Sequence, residues 1–316
     1  MDKKSGVVIM YHFIVNLNSR TGKARKIWEE LRQELERREV LYILHETKYA
    51  GHAIEISRKL VKTADEPVKI IVIGGDGTFN EVINGARDYQ KLILGYIPTG
   101  SGNDLARGLA LSTEPMENLN RILDSKEYMN MDLGCISWDD GESKKFFAVS
   151  AGVGVDADVC RLALTSTLKK VLNKIGLGKL TYAILTLQSL FAMPPMNAHI
   201  VADGVDYGIM DKVTFIALMN HKCEGGGVPM SPNADAHDGK LSMCCIHGIG
   251  KWKCLSLFPS LLGGKHTSYD AYLGVDFKNA DIVLKTPNVW HTDGEMSTYN
   301  TVMHVECLPD AIKLMK

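Results

Sequence analysis

The first third of the chain alternates two patterns. Ile9–Asn16 is β-branched and aromatic and predicts a strand, whereas Gly22–Arg38 carries Ile27, Leu31 and Leu35 on one helical face. Val40–Leu44 repeats the strand pattern and Ala53–Lys62 the helical one. Val68–Ile73 is a continuous apolar run, expected of a strand covered on both faces. A glycine-rich turn follows, then a helix over Phe79–Ala86, a strand over Leu92–Ile97 and a second glycine-rich turn. Alternation at this spacing predicts parallel βαβ units beneath two layers of helices.

The character changes near residue 130. Strand patterns at Met131–Ile136, Phe146–Ala151, Asn197–Val201, Lys212–Met219, Lys240–His247 and Asp281–Lys285 predict a largely antiparallel second domain. Helical stretches over Leu180–Phe191 and Trp252–Leu262 interrupt it. No repeat or low-complexity linker separates the halves, so two closely packed domains with a cleft are expected.

Composition narrows the class. Of 316 residues, 45% are hydrophobic and 23% charged, the profile of a soluble globular enzyme. A formal net charge of −1 does not advertise nucleic acid as a partner, so any membrane contact is expected to be local and transient. The 7 cysteines show no CxxC or His/Cys ligand spacing, which reads as reduced thiols in a cytoplasmic protein. No apolar run reaches the roughly 18–20 residues of a spanning helix. Lys3 and Lys4 before Val7–Val15 resemble a signal peptide, but His12 interrupts the run and no small-residue cleavage site follows.

Chemistry concentrates in loops that leave strand ends. Gly74-Gly75-Asp76-Gly77-Thr78 sits between a buried strand and a helix, where open α/β sheets bind ligands. Its glycines let amides approach a phosphate, and the helix adds its positive end. Asp76 would repel phosphate unless a cation such as Mg2+ lies between them. The loop is neither GxGxxG nor GxxxxGK[ST]. Pro98-Thr99-Gly100-Ser101-Gly102-Asn103-Asp104 leaves the next strand in the same topological position, and Asp104 offers a second carboxylate. Asn16–Lys23 forms a third loop, with Arg20 or Lys23 available to phosphate charge.

These segments together resemble the diacylglycerol kinase catalytic family, in particular its soluble bacterial lipid kinases, relatives of sphingosine and ceramide kinases. The resemblance rests on residues 74–86 (GGDGTFNEVINGA), residues 98–109 (PTGSGNDLARGL), the loop at 16–23 and two C-terminal motifs, and spans essentially the whole chain. It implies an α/β nucleotide-binding domain over residues 1–133, to which 304–316 return, and a mainly antiparallel β-sandwich domain over 134–303. ATP would lie in the cleft. Carried over, Asn18, Ser19, Thr47, Gly74, Gly75, Asp76, Gly77, Thr78, Asn80 and Ser101 would bind ATP. Asp76, Asp104 and Asp132 would surround the catalytic Mg2+, and Lys23 and Lys174 would neutralise phosphate. Leu17 departs from the Asn-Pro the family usually carries here and loses the fixed φ of proline, which puts the adenine side in doubt.

The resemblance places the general base in Asp293-Gly294-Glu295, with Asp293 accepting the lipid hydroxyl's proton and Glu295 orienting it. It likewise implies a second, structural Mg2+ held by Asp238, with carbonyls near Asp235 and Lys240. The expected activity is phosphorylation of diacylglycerol or a similar lipid at the membrane surface, and a homodimer is consistent with the family. An NAD kinase-like enzyme shares the GGDGT loop, and a silent nucleotide-binding regulator is the other alternative. Residues 1–9 read as an extension. Trp252–Leu262, flanked by Lys251, Lys253 and Lys265, fits a membrane-interface helix or a helix packed on the sandwich. Gly225–Gly227 reads as either a mobile backbone near the lipid or a turn.

Overall fold

The computed structural model describes residues 9–17, 23–165 and 178–315. Asn18, Ser19 and Lys174 lie outside these, as does nearly all of the N-terminal extension and the side chain of Lys23. The chain divides into two compact units, one of Met1–Ala106, Ala110–Asn130 and Ala311–Lys316, the other of Arg107–Leu109 and Met131–Asp310.

In the first unit, strands β1 (Tyr11–Val15), β2 (Tyr42–Glu46), β3 (Val68–Gly74) and β4 (Leu92–Pro98) form a parallel sheet in the order β2-β1-β3-β4. The unbroken apolar runs explain the central places of β3 and β4, since almost every position is buried. The last residues of the long strand β14 (Glu295–Met315) add a further parallel edge, with Lys313 opposite Ile93. Helices α1 (Lys23–Arg37), α2 (His52–Thr63), α3 (Asp76–Ala86), α4 (Asp104–Gly108) and α5 (Pro115–Asp124) connect the strands. The stripe predicted on α1 buries Leu31 and Leu35 beside Phe13, Trp28 and Ile71. Helices α2 and α3 meet at Gly85, where a Cβ would fall 2.3 Å from the Ile54 carbonyl.

The second unit is antiparallel and β-sandwich-like. It contains β5 (Tyr128–Trp138), β6 (Ser143–Phe147), β7 (Ser150–Gly154), α6 (Val155–Thr165) and α7 (Gly178–Ala192). Next come β8 (Met196–Ala202), β9 (Val205–Val213), β10 (Phe215–Met219), β11 (Leu241–Ile246), α8 (Lys251–Leu262), β12 (Tyr272–Phe277) and β13 (Asn279–Thr292). The order β12-β11-β10-β7-β13 leads to β14, with β8 also on β13. Trp290, Phe147 and Phe277 fill its core.

Two expected strands divide, each for a local reason. Phe146–Ala151 breaks between β6 and β7 because the amides at 148–150 turn to a side chain described below. Lys212–Met219 breaks at Thr214, which gives its amide to the Ile246 carbonyl at 2.8 Å and its carbonyl to the Val155 amide at 3.0 Å, between the end of β9 and the start of β10.

Candidate active site

The two glycine loops of the first unit are joined backbone to backbone. Thr99 donates its amide to the Gly74 carbonyl at 2.8 Å, carrying the β3–β4 pairing past the strand ends. A Cβ on Gly100 would lie 2.6 Å from Gly75 Cα, so the second loop has no room for a side chain where the two meet. Gly75 caps α3 by its carbonyl, which accepts from Thr78 at 3.0 Å and Phe79 at 3.2 Å. Gly74 gives room to the buried Thr78 side chain, whose Cβ and Oγ1 would lie 2.7 Å from a Cβ on the glycine.

Asp76 is held by the second loop. Its Oδ2 accepts from the Asp104 amide at 2.9 Å, and its Oδ1 from the Leu105 amide at 3.3 Å and the Tyr96 hydroxyl at 3.2 Å. The carboxylate therefore caps α4 and complements that helix's N-terminal dipole. Asp104 is buried, and a Cβ on Gly102 would lie 3.6 Å from Oδ2 of both Asp76 and Asp104. Two carboxylates thus approach the same bare glycine. Asn103 has a left-handed φ of 51°, and its buried Oδ1 has no hydrogen-bond partner among the described residues. Two carboxylates converging on one glycine, with a carbonyl oxygen left over on the same loop, are hard oxygen donors of the kind Mg2+ takes, so these residues fit that ion.

The other sequence-predicted positions of this unit are less uniform. Thr47 is buried at the end of β2 and bonds the Val15 carbonyl through its amide, at 2.9 Å. Asn80 is buried and accepts from Asn84 Nδ2 at 3.1 Å within its own helix. Ser101 is exposed on its loop. Glu81 carried no sequence signal, yet it caps α2 by accepting from the Gly51 and Ala53 amides at 2.8 and 3.1 Å.

In the second unit, Asp293 and Gly294 form a two-residue turn joining β13 to β14. Their φ values of 49° and 81° are those of a type I′ hairpin, for which Asp-Gly is a preferred pair. The Asp293 carboxylate reaches across to the β6–β7 junction. Oδ1 accepts from Val149 at 2.8 Å and Ser150 at 3.0 Å, and Oδ2 accepts from Ala148 at 2.9 Å. The Asp293 amide returns a bond to the Ser150 carbonyl at 2.8 Å. Glu295 begins β14 and is exposed.

Behind this turn lies a pair that sequence reasoning missed. Buried His291 directs Nε2 at Asp156 Oδ2, 2.6 Å away, and the Gly294 amide points at its Nδ1 from 3.3 Å. Gly152 stands opposite His291 in the β7–β13 register, and a Cβ there would fall 2.2 Å from Asp156 Oδ2. Burial opposes a charged His291, whereas the Asp156 carboxylate favours a proton on the nitrogen that faces it. An imidazolium would aim a second N–H at the Gly294 amide, however. With Nδ1 accepting from the Gly294 amide, the ring carries one proton, on Nε2 and directed to Asp156. Cys160 completes the one Asp/Cys/His group among the described residues whose ligand atoms lie within 4.8 Å. A metal on Nε2 would displace that proton, so the group reads as a hydrogen-bonded pair with a neighbouring thiol.

Asp132 serves a different part of the unit. It is 1% exposed, and its two oxygens accept from the Gly239 amide at 2.7 Å and the Asp310 amide at 2.8 Å. Its carboxylate thereby fastens the 235–240 loop to β14. Asn220 bonds the carbonyls of Asp132 and Ala148, both at 2.8 Å, linking that fastening to the Asp293 anchor. Within the loop, Asp235 accepts from the His237 amide and Asp238 from the Lys240 amide, so both carboxylates close local turns. Partial burial raises the Asp238 carboxyl above its ordinary range, and the neighbouring Asp235, Asp276 and Asp132 add to this.

Comparison with known proteins gives this arrangement a family. Residues 10–136 match the diacylglycerol kinase catalytic domain, and residues 148–316 match the YegS C-terminal NAD kinase beta sandwich-like domain. A diacylglycerol kinase of Mycobacterium tuberculosis (strain ATCC 25618 / H37Rv) is 28% identical over 249 residues, 78% of this chain and 76% of that protein. YtlR of Bacillus subtilis (strain 168), named as a candidate lipid kinase, is 26% identical over 290 residues, 90% of this chain and 93% of that one. In fold, the chain is similar to a crystal structure of a diacylglycerol kinase from Bacillus anthracis str. Sterne, with a TM-score of 0.74 at 21% identity over 99% of this chain and 98% of that one. The chain belongs to the diacylglycerol kinase-like family of lipid kinases, with a diacylglycerol kinase catalytic domain followed by a YegS-type C-terminal domain.

Proposed function

We propose that the protein transfers the γ-phosphoryl group of ATP to a hydroxyl of diacylglycerol or a similar lipid. The observation that carries this reading is the backbone contact of Gly75 with Gly100, which brings two glycine loops and the carboxylates of Asp76 and Asp104 together. Amides on close-packed glycine loops suit a polyphosphate, and the diacylglycerol kinase name of the Mycobacterium tuberculosis relative supports a lipid acceptor.

In this reading Gly74, Gly75, Gly77 and Thr78 hold the nucleotide phosphates, with Asn18, Ser19, Thr47, Asn80 and Ser101 completing the nucleotide site. Lys23 and Lys174 neutralise phosphate charge. Asp76, Asp104 and Asp132 form the carboxylate network for the catalytic Mg2+. Bound Mg2+ would offset charge on the transferring phosphoryl group. Asp293 accepts the proton of the lipid hydroxyl as its oxygen bonds to the γ-phosphorus and the bond to ADP breaks. Oδ1 accepts two of the anchoring amides and Oδ2 one, so Oδ2 is the oxygen assigned to the proton. Glu295 supports this carboxylate, and Asp238, with carbonyls near Asp235 and Lys240, forms a second, structural Mg2+ site. The protein would work from the cytoplasm at the membrane surface, which agrees with 7 cysteines outside any disulfide.

ADP release with detergent-dispersed diacylglycerol, with and without Mg2+, tests the assignment. Activity that needs both the lipid and the metal, and that is lost in Asp76→Ala, supports it. Full activity in Asp76→Ala removes Asp76 from the site, and ADP release indifferent to lipid refutes the acceptor.

A further inference from the structure

A helix on a globular protein ordinarily hides an apolar stripe. Helix α8, Lys251-Trp-Lys-Cys-Leu-Ser-Leu-Phe-Pro-Ser-Leu-Leu262, has no buried residue although its composition is mostly apolar. Its inner side is poorly seated. Cys254, Leu257, Phe258 and Leu261 look onto an apolar cavity of about 60 Å³, with Leu190 of α7 across it. Its outer side is bare, with Trp252 76% exposed and Leu262 51% exposed.

Helix α7 extends the same surface. Ile184, Leu187 and Phe191, spaced i, i+3 and i+7 on one stripe, are all exposed, Leu187 at 45%. The two helices are clasped where they meet. The Phe191 and Trp252 rings pack edge-on with centroids 4.9 Å apart, and Lys251 Nζ donates to the Phe191 carbonyl at 2.8 Å. A contiguous apolar patch of this kind marks an interaction site on a soluble domain.

Charge selects the partner. Neither helix contains an acidic residue, and Lys253 and Lys265 stand exposed beside the apolar stripe. Lysines around a bare tryptophan match the boundary of an anionic bilayer, where the indole sits at headgroup level and ammonium groups meet lipid phosphates. A second copy of a chain with net charge −1 offers no comparable field.

We propose that the α7–α8 face is a membrane-docking surface that seats the second unit on anionic phospholipid. The proposal rests on the lipid-kinase reading for its purpose, but not for its test. Proline at position 259 removes one helix hydrogen bond, and the underpacked cavity removes contacts beneath the helix, so α8 can adjust as Trp252 and Leu262 enter the interface.

Flotation of the full chain with vesicles of pure phosphatidylcholine, and of equimolar phosphatidylcholine and phosphatidylglycerol, tests the surface directly. The expected result is binding to the anionic vesicles that falls at least tenfold in Trp252→Ser/Leu262→Ser. In Lys253→Glu/Lys265→Glu, anionic binding should fall and its salt dependence weaken. Both variants change exposed side chains, so thermal melting is expected to match the parent. Unchanged flotation of either variant overturns the proposal. So does a loss of dimer by size exclusion in Trp252→Ser/Leu262→Ser without loss of flotation, which would make the face a contact between copies. Phosphorylation of detergent-dispersed diacylglycerol, measured on the same samples, keeps the two readings apart. Patch-dependent flotation without lipid phosphorylation sinks the kinase reading alone, and lipid phosphorylation with patch-independent flotation sinks the docking surface alone.

Discussion

Replacing Asp293 by Asn separates two tasks the structure gives one carboxylate. Asparagine accepts the left-handed φ of 49°, and Asn-Gly is as good a type I′ pair as Asp-Gly, so the turn itself loses little. The amide anchor does lose. If the new carbonyl oxygen keeps Val149 and Ser150, the new NH2 must face the Ala148 amide, setting donor against donor at a buried residue. An unsatisfied buried N–H costs about 1–3 kcal/mol, and the two retained bonds lose their charge-assisted share, so a local loss of about 2–4 kcal/mol is expected. Hydrogen exchange resolved to residues 148–150 measures this, and exchange about 30- to 1,000-fold faster corresponds to that range. Turnover of the folded variant should separately fall by roughly 10²–10⁴, the usual loss on removing a general base. Unchanged protection would refute the three-amide anchor, and faster exchange with normal turnover would leave Asp293 a structural residue only.

Gly100→Ala sets a methyl 2.6 Å from Gly75 Cα and 2.8 Å from Asn103 Oδ1, so the loops must part at about 1–3 kcal/mol. Nucleotide affinity by calorimetry should fall with thermal stability, and unaltered affinity would detach this contact from the phosphate site. Burial of His221 against Gly108 pushes its imidazole down to about 4 from 6.5, and its Nε2 has no hydrogen-bond partner among the described residues. The folded state therefore holds fewer protons than the unfolded chain between those values. Its contribution, up to about 3 kcal/mol, is complete above pH 6.5 and is lost as pH falls toward 4. Stability of His221→Gln should fall less over that window, and coincident acid limbs for variant and parent would contradict the burial argument.

The first unit was legible because its signals are local. Continuous apolar runs mark β3 and β4 as doubly covered, and glycine loops after them fall at carboxyl strand ends by topology alone. Tyr96 and Glu81 were not legible, because an aromatic in a buried strand and an acid in an amphipathic helix look the same whether or not they hold a loop. In the second unit the decisive contacts are remote in sequence. Asp293 meets the amides of 148–150, and Asp132 meets Gly239 and Asp310, pairings with no sequence periodicity to reveal them. The two amides that Asp132 accepts come from residues far along the chain, which its place in a strand does not announce. His291 carried no signal because its partner Asp156 lies on α6, a helix the apolar pattern did not announce. Helix α8 was legible as a helix, but a sequence cannot say which apolar residues a core has room to cover.

The central claim is that two glycine loops and the Asp293 carboxylate serve phosphoryl transfer to a lipid hydroxyl. Its most direct test follows labelled γ-phosphate from ATP into organic extracts, across diacylglycerol, monoacylglycerol, sphingosine-like bases and phosphatidylglycerol, with NAD as a water-soluble acceptor. The account predicts magnesium-dependent label in a lipid fraction, none in NAD, and loss of the label in Asp293→Asn at a temperature where that variant is folded. Label in NAD, or no label in any lipid while ATP still binds, would contradict it.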